Sequence, residues 1–120
     1  MEYAILVYES PADFAERENP ETSAAYHGAY HAYSEALVKA GLMSGGAGLR
    51  PPTTATTIRL REGRRLVQDG PLTETKEQLG GFFIINAADL DEAIQWAARC
   101  PAAARAGVEV RPVLPSPANE

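Results

Sequence analysis

A single cysteine, Cys100, in a chain of 120 residues rules out any internal disulfide. Nothing therefore requires an oxidising compartment. Histidine is also scarce, with only His27 and His31, and no HExxH pairing accompanies them. Long apolar runs are missing. The N-terminal stretch Tyr3-Ala4-Ile5-Leu6-Val7-Tyr8 is short and has no basic segment before it, so it reads as neither a signal peptide nor a membrane span. Positive charge is in deficit, with a formal net charge of -5, which argues against a nucleic-acid partner because such binders carry a basic face. The expectation is a cytoplasmic protein with no membrane and no nucleic-acid association. The glycine-rich Gly45-Gly46-Ala47-Gly48 has neither the lysine of a phosphate loop nor the spacing of a dinucleotide fingerprint. It reads as a loop, and no cofactor or metal is expected.

The residues that are present describe a small globular unit. Hydrophobic residues make up 45% and charged residues 22%, enough apolar content to form a core and too little charge for disorder. The length suits one domain over residues 1–114, followed by a polar tail at 115–120. Tyr3 to Tyr8 reads as a strand, apolar on both faces. Residues 11–22 look like a connection, with room for one helical turn at Asp13 to Glu16. Ser23 to Ala40 reads as a helix, with Tyr26, Tyr30, Tyr33 and Leu37 on one stripe and Gly41 as its stop. Thr54 to Arg61 alternates like a half-buried strand, turns at Glu62-Gly63 and returns over Arg64 to Gln68 as a hairpin. Phe82-Phe83-Ile84-Ile85 is a second strand apolar on both faces. Asp89 and Glu92 stand in capping-box spacing at the head of a second helix, which Pro101 closes, and Val108 to Leu114 forms the last strand.

This order predicts an α+β fold of ferredoxin-like type, an antiparallel sheet with two helices on one face. Successive strand residues point to opposite faces, so Ile5-Leu6-Val7 and Phe82 to Ile85 must place apolar side chains on the uncovered face as well. Exposed patches of that kind mark interfaces. The sequence therefore predicts a homodimer through the open sheet face, with two-fold symmetry.

The run Asp69-Gly70-Pro71-Leu72-Thr73-Glu74-Thr75-Lys76-Glu77 resembles the DGPFAETKE signature of the YCII-related family, with Leu72 for phenylalanine and Thr73 for alanine. The segments Gly46 to Leu49 with Pro51-Pro52, Asp89 to Trp96-Ala97, and Val108 to Val113 are similar to the family too. The resemblance implies a ferredoxin-like fold and a two-fold dimer of the α+β-barrel kind. It also implies a regulatory setting beside extracytoplasmic-function sigma factors, and distant kinship with cofactor-free dehalogenases and lactone isomerases.

Several residues are candidates for chemistry. Asp69, ahead of Gly70-Pro71, is the candidate proton-transfer group if desolvated, and otherwise a turn aspartate. Lys76 and Arg59 are candidates to hold an anionic ligand, with Glu74 and Glu77 beside the lysine. His31 is a weaker candidate for proton shuttling. His27 and His31 share a helix face, yet no further ligand makes a metal site of them. Tyr33, with Tyr26 and Tyr30, is expected in the core, with a hydroxyl available to a pocket between helix and sheet. Cys100 reads as a small buried apolar residue. Two functions stay open: a small-ligand-binding or accessory module, and a cofactor-free lyase or isomerase acting on a small ring compound.

Overall fold

The computed structural model describes residues 1–116. Of the tail expected at 115–120, residues 117–120 lie outside the described residues. Four strands form the main sheet: β1 (Glu2–Glu9), β2 (Met43–Gly48), β5 (Gln78–Asn86) and β6 (Gly107–Pro112). Their spatial order is β2-β5-β1-β6, and every neighbouring pair is antiparallel. Two right-sized crossovers, through α2 (Ser23–Lys39) and α3 (Leu90–Ala97), complete the expected ferredoxin-like arrangement. The remaining strands, β3 (Thr56–Arg61) and β4 (Arg64–Asp69), pair only with each other as a separate two-stranded sheet.

Alternation in β1 sets the layering. Tyr3, Ile5, Val7 and Glu9 are buried under the helices, and the residues between them are half-buried on the other side. Tyr33 and Leu37 of α2 and Ala93 and Ala97 of α3 close over Ile5, Val7 and Ile85 to make the core. Small alanines on α3 let that helix approach the sheet. Leu37, Ile5 and Ile85 are fully buried, and each such side chain stabilises the fold by about 1.5–3 kcal/mol. Cys100 is buried with them, and burial pushes its thiol up.

Three local expectations are corrected. The segment read as a connection holds a third helix, α1 (Pro11–Glu18). Ser10 caps it by accepting from Asp13 N at 3.2 Å, while the Asp13 carboxylate accepts from Ser10 N at 2.9 Å, and Pro11 occupies the first turn, where its missing N–H costs nothing. The glycine stretch read as a loop is the edge strand β2. Low β-propensity hid it, but the glycines answer to close packing: Gly46 has φ 143°, and a Cβ there would lie 2.4 Å from Phe82 O. The hairpin is correctly placed but is not half-buried. Of β3 and β4 only Thr57 is buried, because neither strand joins the main sheet.

Candidate functional site

A cavity of ≈ 460 Å³ lies between α2 and the β2–β5 half of the sheet. Val7, Met43 and Phe83 give it apolar walls, and Gly45, Gly46, Gly48, Gly80 and Gly81 expose backbone along one side. Its polar end is built from Glu9, Arg17 and Tyr26, with His27 at the margin. This volume falls in the range of about 300–1,000 Å³ common for small-molecule sites.

Glu9 is the central group. It continues the inward face of β1 beyond Val7 and is 2% exposed. A buried carboxylate must be paired and hydrogen-bonded. Arg17 Nη2 of α1 donates to Glu9 Oε1 at 2.6 Å, and the Tyr26 hydroxyl of α2 lies 2.7 Å from Oε1 and 2.6 Å from Oε2. Arg17 itself makes four hydrogen bonds from its five N–H donors. Its Nε donates to Tyr26 Oη at 3.1 Å, Nη2 also reaches Gly80 O at 3.0 Å, and Nη1 donates to Leu49 O. The guanidinium also lies 4.8 Å from the centre of the Phe14 ring. One arginine thus ties α1 and α2 to β1, β5 and the segment after β2. Gly80 makes room for this knot, since a Cβ there would fall 2.5 Å from Glu9 Oε1 and 2.9 Å from Arg17 Nη2.

The electrostatics follow from burial and pairing. Desolvation, and then the hydrogen bond to Glu9, push the Tyr26 hydroxyl far above the ordinary tyrosine range, against the opposing pull of Arg17. Tyr26 therefore remains a protonated donor. Burial works against the Arg17 charge, but its bonds to Glu9 and Tyr26 outweigh that and hold the guanidinium above its ordinary value. Arg17 acts as the holder of Glu9, since its donors point at protein acceptors. The Glu9 carboxylate and the Tyr26 hydroxyl are the polar atoms placed to meet a ligand.

The candidates from the sequence lie elsewhere. Asp69 is the exposed last residue of β4, opposite Thr56. Arg59 is exposed on β3, and Glu74 and Lys76 are exposed in the connection to β5. That connection is gathered by Gln78, whose Nε2 donates to Thr73 O at 2.7 Å and Thr75 O at 2.9 Å. His31 is exposed, with Nε2 3.4 Å from Glu35 Oε1. Tyr33 is buried, its hydroxyl donates to Trp96 O at 2.7 Å, and its ring meets Phe83 edge-on at 5.2 Å. None of these six lines the cavity. Among the described residues no group of three or more His, Cys, Asp or Glu is placed to hold a metal ion, and no helix is long and apolar enough to cross a membrane.

Glu9 and Arg17 were missed from the sequence, although a signal for each existed. Glu9 is a charge at the inward position of an otherwise apolar period-2 face. Arg17 needed α1 to be recognised first, through its Ser10-Pro11-Ala12-Asp13 start.

Comparison with known proteins fits this architecture. Over 60 residues the chain is 50% identical to an uncharacterised protein of Rhizobium meliloti (strain 1021), a match spanning 50% of this chain and 48% of that protein. The chain thus matches about half the length of this curated relative. Among solved structures it is similar in fold to 5-chloro-2-hydroxyhydroquinone dehydrochlorinase (TftG) from Burkholderia phenoliruptrix AC1100, in complex with 2,5-dihydroxybenzoquinone. The two superpose with a TM-score of 0.56 at 19% identity, covering 100% of each chain. The model of the YCII-related domain matches residues 1–117, and the chain belongs to that family.

Proposed function

We propose that this protein is a small-ligand-binding module that holds a hydroxylated ring compound in the cavity beside Glu9. The observation that carries the reading is the pairing of a buried carboxylate with a protonated tyrosine at the end of an apolar cavity. Phe83, Val7 and Met43 suit the faces of a ring, and the glycine backbone lets it approach closely. A ligand hydroxyl would donate to the Glu9 carboxylate or to the Tyr26 oxygen, whose own proton is already given to Glu9. The 2,5-dihydroxybenzoquinone in the complex of the fold neighbour is a compound of this class. In the sigma-factor setting that the family resemblance implies, such a module would respond to its ligand without converting it.

The working unit in this reading is a homodimer through the open sheet face. The pairs Leu6↔Phe82 and Ala4↔Ile84 put four apolar side chains on the face away from the helices. All four are half-buried in the single chain, and covering them with a second copy is the economical arrangement.

The direct test is titration calorimetry with 2,5-dihydroxybenzoquinone on the wild type and on Tyr26→Phe, with native mass spectrometry of the protein as purified from cells. Saturable binding, weakened about tenfold or more in the variant through loss of a hydrogen bond beside a charge, is the expected result. Absence of binding, or equal binding by both proteins, would overturn it.

A second reading is favoured by the same 2.6 Å contact between Tyr26 and Glu9. A proton acceptor and an O–H side by side suit a cofactor-free lyase or isomerase acting on a small ring compound, with Glu9 and Tyr26 moving the proton. Product formation by the wild type, with kcat collapsing in Glu9→Gln, separates catalysis from binding alone.

A further inference from the structure

We propose that the β3–β4 hairpin is an arm that grips a second copy of this chain. The inference rests on the dimer proposed above, in which the arm played no part. The arm is inserted between β2 and β5, which are neighbours in the main sheet, so the fold does not need it to connect them. Its root lies where Gly48 pairs with Gly81, at the sheet end that borders the cavity. The hydrogen bonds at its base close within the arm itself: Gly70 N donates to Ala55 O at 2.7 Å, and the Thr57 hydroxyl donates to Gly70 O at 2.7 Å. Gly70 turns the chain out of the arm at φ 100°, a conformation that favours glycine.

A two-stranded hairpin standing in water is only marginally stable. This one is also apolar on one side. Ile58 faces Val67 across the ladder, with Leu60 two residues on, and their exposures are 60%, 59% and 68%. The projection is large enough to expand the molecule: the radius of gyration is 16.2 Å, against roughly 14 Å for a compact chain of this length.

Charge selects the occupant. Arg59, Arg61, Arg64 and Arg65 against Glu62 and Asp69 leave the arm at +2, while the whole chain stands at -5, so the remainder carries -7. The surface that complements a basic, apolar arm is the acidic body of another copy, beside its half-buried Leu6 and Phe82. In a two-fold dimer each arm meets the other body, doubling every contact.

The test is sedimentation equilibrium of the wild type, of an arm variant (Ile58→Ser, Leu60→Ser, Val67→Ser) and of Arg59→Glu with Arg64→Glu. All five positions are exposed in the single chain, so circular dichroism should report an intact body. The dimer should dissociate about 100-fold more readily in the serine variant, as expected for losing three interface anchors. The charge reversal should weaken it and remove its salt sensitivity. A dimeric wild type with an unchanged dissociation constant in both variants would overturn the arm while leaving the sheet contact standing. A monomeric wild type would overturn both. Arm-dependent binding of a labelled oligonucleotide, with dimerisation untouched, would reassign the arm to nucleic acid and overturn the proposal.

Discussion

Replacing Arg17 with methionine removes one group and unsettles a whole site. The guanidinium donates to Glu9, to Tyr26, and to the carbonyl oxygens of Gly80 and Leu49. Methionine preserves part of the aliphatic stem but supplies no donor and no charge over the Phe14 ring. Glu9, with its side chain 3% exposed, would keep only the Tyr26 hydroxyl. Breaking a buried ion pair from one side costs about 3–5 kcal/mol. Arg17 is 14% exposed and Tyr26 still satisfies part of the carboxylate, so the lower end, about 3 kcal/mol, is the expectation. For a chain of this length the unfolding entropy implies roughly 4 °C per kcal/mol, hence a fall in Tm of about 12 °C. Urea unfolding of the wild type, Arg17→Met, Glu9→Gln and the double variant would complete a thermodynamic cycle. The double variant should be more stable than the sum of the single losses predicts, because Glu9→Gln removes the charge that Arg17→Met strands. Additive losses, or a cost below about 1 kcal/mol for Arg17→Met, would refute the view that this arginine exists to hold Glu9.

Two further outcomes follow from the same interactions. Burial raises the Asp13 carboxyl, but hydrogen bonds with Ser10 and the pairing with Arg105 outweigh it, so its pKa is lowered. A lowered folded pKa gives stability that is present above the unfolded value, near about 3.9, and is lost as pH falls through the folded one. Acid unfolding followed by circular dichroism should therefore be shallower below about pH 4 in Asp13→Asn than in the wild type, and an unchanged slope would assign the acid sensitivity to other carboxylates. Tyr33→Phe should cost about 0.5–1.5 kcal/mol in urea unfolding, since it removes the 2.7 Å hydrogen bond to the Trp96 carbonyl, which keeps its bond from Arg99 N at 3.1 Å.

The parts legible in the sequence were those governed by local periodicity. The 3.6-residue stripe of Tyr26, Tyr30, Tyr33 and Leu37, the Asp89 cap and the Glu62-Gly63 turn each depend on residues a few positions apart, so the elements and their ferredoxin-like order were readable in advance. β2 was not. Its glycines have no strand preference of their own, and the reason for them, close approach to Phe82 O, lies in a strand more than 30 residues away. The isolation of the hairpin was equally invisible, because alternation reports which faces differ and says nothing of whether another layer arrives to cover one. The site shows the same division. Asp69 and Lys76 stood out because they sit in a dense linear motif, yet they lie on the arm and the connection leading from it. Glu9, Arg17, Tyr26 and Gly80 are scattered over 72 positions of sequence, and only the packing of α1 and α2 onto β1 and β5 brings them within hydrogen-bonding distance. The sequence by itself determined the periodic elements α2, α3, β1, β5 and β6 and the inward faces of those elements, because those rest on neighbours in the chain. The tertiary structure decided which polar residue would be desolvated at the inward end of β1 and which cation would reach it, because burial and pairing of charge are properties of the assembled layers.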